Sequence, residues 1–156
     1  SILNKKLRYQ NKPKLESSLK DKELDIIYKK VDWKYAEAIC NAKLIELGYE
    51  TFIPTNGGGE IDLIAYKNGN IYKIQIKSCT PKKDYISVNL TRNSNNYKQN
   101  ISSPYENIDW FLIYDGNYIY KVDRKLINKH IILRYKLPKN NQIDTVRMAI
   151  DYIIKK

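Results

Sequence analysis

The dipeptide Asn68-Gly69 constrains this chain more than any other feature. It separates two runs of alternating residues, Glu60 to Tyr66 and Ile71 to Ser78. Both residues of the dipeptide tolerate the positive φ of a type I′ turn, whose twist matches that of two antiparallel strands. The spacing therefore predicts a β-hairpin turning at Lys67-Asn68-Gly69-Asn70. A period of two then sorts the side chains. Ile61, Leu63 and Ala65 share an apolar face with Tyr72, Ile74 and Ile76. Glu60, Asp62, Ile64 and Tyr66 point the other way, as do Ile71, Lys73, Gln75 and Lys77.

The rest of the chain supplies partners for that hairpin. Ala36, Ile39, Cys40, Lys43, Leu44 and Leu47 recur at helical spacing after Asp32, a natural N-cap, and before Gly48, a natural stop. Strands are expected at Tyr49 to Pro54, Tyr85 to Leu90 and His130 to Leu137. A second hairpin is expected from Trp110 to Val122 around Asp115-Gly116-Asn117. Thr55 to Gly59 and the Asn- and Ser-rich stretch Thr91 to Asn107 read as loops, the second long enough to be functional. Leu15 to Lys30 has a loose helical pattern, and Ile143, Val146, Ile150 and Ile153 suggest a closing helix. The expected class is α+β, a mixed β-sheet flanked by helices. Residues 1–31 read as a basic N-terminal arm or helix and residues 32–156 as one domain.

Charge then narrows the partners. The chain of 156 residues carries 28 Lys and Arg against 17 Asp and Glu, a net charge of +11. A basic globular domain points to nucleic acid first and an acidic membrane second. The 14 Tyr suit nucleic-acid contact, although Lys, Asn, Ile and Tyr also share AT-rich codons. The single histidine, His130, excludes chemistry that needs two, including HNH and double-histidine phosphodiesterases. A Ser-His-Asp triad lacks its Gly-x-Ser-x-Gly elbow. Cys40 and Cys79 have no CxxC neighbour and read as reduced core residues. Gly57-Gly58-Gly59 is followed by no Lys-Ser/Thr, so it is not a P-loop. No apolar run reaches the roughly 18 residues of a membrane helix, and the first residues form no signal-peptide core. The expected location is intracellular and cytoplasmic, with no membrane partner.

Asp62, Gln75 and Lys77 share one hairpin face and suggest chemistry. Phosphodiester cleavage requires a water to be activated and the developing negative charge to be neutralised. A carboxylate with a second oxygen donor can hold Mg²⁺, which prefers oxygen ligands. Such an ion is a Lewis acid and lowers the pKa of bound water. A lysine beside it stabilises charge or orients the water. A plain surface ion pair between Asp62 and Lys77 is the structural alternative.

The order of these residues carries a resemblance. Glu37 in Tyr35-Ala36-Glu37-Ala38, then Asp62, then Gln75-Ile76-Lys77 resembles the helix-Glu, strand-Asp, strand-x-x-Lys order of the PD-(D/E)xK nuclease superfamily. Lys73-Ile74-Gln75-Ile76-Lys77 is similar to the branch that includes group I intron-encoded homing endonucleases, which reads Gln-x-Lys. Ile108-Asp109-Trp110-Phe111, Ile119-Tyr120-x-Val122 and Lys139-Asn140-Asn141-Gln142 with Ala149 and Tyr152 extend the likeness over residues 33 to 153. Ile61 stands before Asp62 where the superfamily name has Pro. The resemblance implies a restriction-endonuclease-like core. It implies Asp62 as main metal ligand, Gln75 as an amide-oxygen ligand or water-positioning group, Lys77 as catalytic lysine and Glu37 as a second acidic ligand. The implied cofactor is Mg²⁺, with Mn²⁺ able to substitute. One site cuts one strand in this superfamily, so a double-strand break implies a homo-oligomer, a dimer or a dimer of dimers.

Contacts to double-stranded DNA are expected from residues able to meet phosphates and base edges. Lys82, Lys83, Ser87, Asn89, Arg92, Asn93, Asn95 and Lys98 form the main candidate segment, Lys121, Arg124, Lys125 and Arg134 a second patch, and the N-terminal arm a third. The expected function is a sequence-specific homing-type endonuclease. The alternatives are a Holliday-junction resolvase-like nuclease and a non-catalytic nucleic-acid-binding protein.

Overall fold

A computed structural model describes residues 24–96, 99–127, 129–138 and 146–155, with backbone alone for 93–96 and 99–103. Among the described residues, one α-helix, α1 (Trp33–Glu46), precedes nine strands: β1 (Glu50–Phe52), β2 (Leu63–Lys67), β3 (Asn70–Ser78), β4 (Tyr85–Asn89), β5 (Thr91–Asn96), β6 (Gln99–Pro104), β7 (Trp110–Tyr114), β8 (Ile119–Asp123) and β9 (His130–Arg134). The main sheet runs β1-β2-β3-β7-β8. All its pairings are antiparallel except β3 with β7, which is parallel. This is the mixed α+β class expected from sequence.

The anchoring hairpin forms as its turn demands. Asn68 has φ 52° and Gly69 φ 81°, the two positive values of a type I′ turn. Leu63 then faces Ile74 and Ala65 faces Tyr72. Leu63, Ala65, Tyr72, Ile74 and Ile76 of that face pack with α1, whose Ala36, Cys40 and Leu44 are fully buried one turn apart, whereas Ile61, ahead of β2, packs against the opposite core. Asp32 caps α1 by accepting from Lys34 N at 2.8 Å and Tyr35 N at 3.3 Å. Gly48 ends it at φ 88°.

A second core lies across the sheet. Phe111, Ile113, Tyr120 and Val122 point away from α1 and pack on Ile86, Val88, Ile131 and Leu133 of the antiparallel pair β4-β9. Strand β7 is buried along its whole length because it has a core on each face.

Three expectations fail. Thr91 to Asn107 is not a loop over most of its length: β5 and β6 pair antiparallel, Thr91 opposite Pro104 through Asn96 opposite Gln99. Asn is depleted from strands, so the Asn-rich composition conceals a ribbon held by backbone pairing. The closing helix is absent from the described residues; Ala149–Tyr152 forms one short 3₁₀ turn. Met148 and Ile153 flank it and bridge to Arg134 and Tyr120, so sheet pairing takes the backbone there. The helix expected over 15–30 does not reach its described end, because residues 24–32 carry no helix. They run along the domain instead. Ile27 N donates to Asn117 Oδ1 at 2.8 Å and Asn117 Nδ2 donates back to Ile27 O at 3.1 Å. Residues 1–23 of the expected arm lie outside the described residues.

Candidate active site

Strand β3 changes partner midway, and the candidate residues gather where it does. Its first half pairs with β2 as far as Ile74, and its second half pairs with β7 from Ile74 to Ser78. Asp62 sits at that fork, immediately before β2. Its amide donates to Ile74 O at 2.9 Å. Its carboxylate then replaces the next rung of the ladder, Oδ2 accepting from Ile76 N at 2.8 Å. Both hydrogen bonds fix the carboxylate between the positions of Gln75 and Lys77 in the chain.

Electrostatics joins Glu37 to this point. Burial raises the Asp62 carboxyl above its usual value, with the Ile76 amide and the Lys77 charge opposing the rise. Glu37, half-buried on α1, is raised by burial and then by the Asp62 charge. A carboxylate whose ionised form is disfavoured by burial and by a neighbouring carboxylate is a setting that a cation relieves.

Gln75 is 9% exposed, and its Nε2 donates to Ile76 O at 3.3 Å. Its Oε1 is buried with no hydrogen-bond partner among the described residues. A buried acceptor without a donor costs about 1–3 kcal/mol, so a water or cation is its natural complement. Among the described residues no cluster of three or more His, Cys, Asp or Glu side chains is placed to hold a metal. The candidate donors are two carboxylates and an amide oxygen, and oxygen donors of this kind suit a hard cation. The residues therefore fit a divalent ion with fewer anionic ligands than a three-carboxylate site would give.

Lys77 is half-buried at the same fork. Its Nζ donates to Tyr105 Oη at 2.8 Å and lies 4.7 Å from that ring's centroid. Nothing in the sequence links Tyr105 to Lys77, which lies far away along the chain. Glu60 shares the expected face with Asp62 but is engaged elsewhere. Its Oε1 accepts from the Glu106 amide and, at 2.9 Å, from the Asn107 amide. Its Oε2 accepts from Asn107 Nδ2 at 3.2 Å.

The candidate DNA-contact residues spread over neighbouring elements. Lys82 and Lys83 are exposed just before β4. Ser87 Oγ lies 2.7 Å from His130 Nε2 on the outer face of β4-β9. Arg134 and Lys82 sit over the Tyr85 ring on that sheet, 5.9 and 5.4 Å from its centroid. The sequence places Tyr85 on this strand and Arg134 in a separate basic patch; pairing of β9 with β4 brings Arg134 opposite Tyr85 and sets His130 on the same sheet, a position no sequence signal marks. Asn89 uses its Oδ1 to accept from Thr91 N at 2.9 Å and Oγ1 at 2.7 Å, shaping the step from β4 to β5. Arg92, Asn93 and Asn95 lie on β5, and Arg92 Nη2 reaches Gly58 O at 3.5 Å. Arg124 and Lys125 lie in the 3₁₀ turn after β8, where Arg124 Nε donates to Tyr105 O at 2.5 Å. Lys98 lies outside the described residues.

A sequence model of the PD-(D/E)XK endonucleases matches residues 28–155. The chain belongs to this endonuclease family. Its members are nucleases that act on DNA and typically use divalent metal ions. The fold agrees with a solved structure of a bacterial homing endonuclease, I-Ssp6803I, at TM-score 0.61 and 18% identity, covering 78% of this chain and 85% of that one. No curated protein matches the chain in sequence. The two cysteines of this endonuclease stand apart from its chemistry: burial, helped by Glu37 at Cys40 and Asp115 at Cys79, pushes both thiols up to about 12. Among the described residues no helix is long and apolar enough to cross a membrane.

Proposed function

We propose that this endonuclease is a sequence-specific, homing-type enzyme that hydrolyses DNA to a double-strand break, with Asp62, Gln75, Lys77 and Glu37 as its site. The observation carrying this reading is the fork. One strand delivers Gln75 and Lys77 beside an Asp62 carboxylate pinned by the Ile76 amide, with Glu37 coupled to it from the helix.

Asp62 and the unpartnered Oε1 of Gln75 would hold the ion, with Glu37 as a second carboxylate. Mg²⁺, or Mn²⁺ in its place, would supply Lewis acidity and an acidified water when bound. Gln75 is buried while Glu37, Asp62 and Lys77 are half-buried, so charges on the Gln75 side of the fork act with less screening than in bulk water. Lys77 brings a positive charge to the developing charge on the phosphate, or orients the attacking water. The outer face of β4-β9 and the β5-β6 ribbon would meet the duplex, with Lys82, Lys83, Arg92 and Lys125 at phosphates and Ser87, Asn93 and Asn95 near base edges. A double-strand break requires two such sites, hence a homo-oligomer. Residues 1–31 would act as a basic arm appended to the nuclease domain of residues 32–156.

The test is cleavage of a library of randomised duplexes by the purified protein in Mg²⁺, followed by sequencing of the ends. A single recurrent site with both strands cut is expected. Cutting confined to four-way junctions would replace the homing reading with a structure-specific one. Binding without cutting in Mg²⁺ or Mn²⁺ would overturn the catalytic reading.

A further inference from the structure

We propose that Tyr105 is the positioning residue for the catalytic lysine, its hydroxyl holding the Lys77 ammonium at the fork where DNA is cut. This rests on the reading of Lys77 as that lysine.

A lysine ends in a compact charge on a flexible four-carbon stem. To serve a reacting phosphate it must be held near one position beforehand, because misplacement by even an ångström costs rate. Carboxylates commonly restrain such a lysine, but an ion pair would spend the charge the reaction needs. A neutral phenol restrains the ammonium and leaves its charge intact. Here Tyr105 Oη accepts from Lys77 Nζ at 2.8 Å, and the ring face adds a cation–π contact at 4.7 Å. The charge still reaches the metal-ligand candidate, since Lys77 opposes the rise in Asp62.

Tyr105 is itself fixed from several sides. It is 6% exposed, and its ring meets Phe111 edge-on with centroids 5.6 Å apart. Its carbonyl accepts from Arg124 Nε. The next two amides, of Glu106 and Asn107, donate to Glu60, two residues before Asp62. The turn over residues 105–107 therefore braces both sides of the fork: Asp62 through Glu60, and Lys77 through the phenol. Pro104 ends β6 one residue earlier, so the proposed DNA-contacting ribbon leads directly into this brace.

Tyr105→Phe removes the hydroxyl and keeps the ring, its contact with Phe111 and the cation–π face. With lysine-¹⁵Nζ-labelled protein, the Lys77 ammonium resonance, assigned by its disappearance in Lys77→Ala, is expected to be restrained in the wild type and to exchange freely in Tyr105→Phe. An identical resonance in both overturns the proposal, and does so without any cleavage measurement. Single-turnover cutting of the duplex recovered from the randomised library supplies the functional readout. Tyr105→Phe is expected to lower the rate about tenfold to a hundredfold, the scale of one hydrogen bond to a charged group. DNA affinity and Tm should stay near wild type, as a merely structural tyrosine would not predict. The rate effect should also vanish in a Lys77→Ala background. Wild-type or faster cutting by Tyr105→Phe overturns the positioning role while Lys77→Ala remains inactive. Wild-type cutting by Lys77→Ala overturns the catalytic reading itself.

Discussion

At the residue scale, the candidate site is built from side chains that replace backbone partners. Asp62 substitutes its carboxylate for a ladder hydrogen bond at the Ile76 amide, and this opens β2 from β3. Glu60 does the same for two amides of the 105–107 turn. Burial alone would raise its carboxyl. The hydrogen bonds from Asn107 and Glu106, with the Arg92 charge, instead hold it below the usual 4.5. A carboxylate whose folded pKa lies below its unfolded value stabilises the fold above that unfolded value, and the contribution is lost as pH falls through the folded one. Glu60→Ala is therefore expected to lower Tm at neutral pH, with the gap to wild type closing as the pH drops below 4.5. Thermal denaturation across a pH series checks this; a gap that widens in acid contradicts it.

At the element scale, local chemistry explains most of what can be read in advance. The Asn68-Gly69 turn, the Asp32 cap and the Gly48 stop each depend on residues adjacent in sequence, and each element they delimit forms. The β5-β6 ribbon is illegible because nothing in its Asn and Ser composition alternates. The segment after Arg134 misleads because Ile143, Val146, Ile150 and Ile153 satisfy helical spacing, while pairing of Met148 and Ile153 with Arg134 and Tyr120 decides the backbone. The buried Asp115 is hidden for the same reason. In sequence it is a turn residue. In the fold its Oδ1 accepts from Asn117 N and Tyr118 N, both at 2.8 Å. Its Oδ2 accepts from Tyr120 Oη at 2.7 Å and Tyr135 Oη at 2.6 Å, tying the β7-β8 turn to the end of β9. Burial, then the Asp115 carboxylate, raises the Tyr120 phenol, and Tyr135 rises likewise, so both stay protonated donors. Tyr120→Phe is expected to cost about 1 kcal/mol, the net value of one hydrogen bond, whereas Asp115→Ala strands four donors and costs about 3 kcal/mol or more. Urea denaturation of the two variants checks the order; equal destabilisation would mean that the network adds nothing beyond one pair.

At the scale of the whole molecule, the sheet that carries the fork has a core on each face, and the proposed DNA surface is the outer face of β4-β9 with the ribbon beside it. Of the proposed site, Glu37, Asp62, Gln75 and Lys77 are legible as an ordered set, while Tyr105 is not, because no periodicity connects it to β3. Part of the basic excess lies near that surface: Lys82 sits over the Tyr85 ring and Lys83 is exposed beside it. Replacing Lys82 and Lys83 with Ala should flatten the dependence of log K on log salt by about 0.9 for each phosphate that is no longer neutralised. An unchanged slope in a salt titration would move the DNA elsewhere on the surface. The most direct test of the central claim is single-turnover cleavage of the recovered target duplex by wild type, Asp62→Asn and Lys77→Ala, in Mg²⁺ and in EDTA. The expected result is cutting only by the wild type and only with Mg²⁺, while both variants keep DNA affinity and Tm. Cleavage by either folded variant at the wild-type rate, or equal cutting in EDTA, would contradict the account.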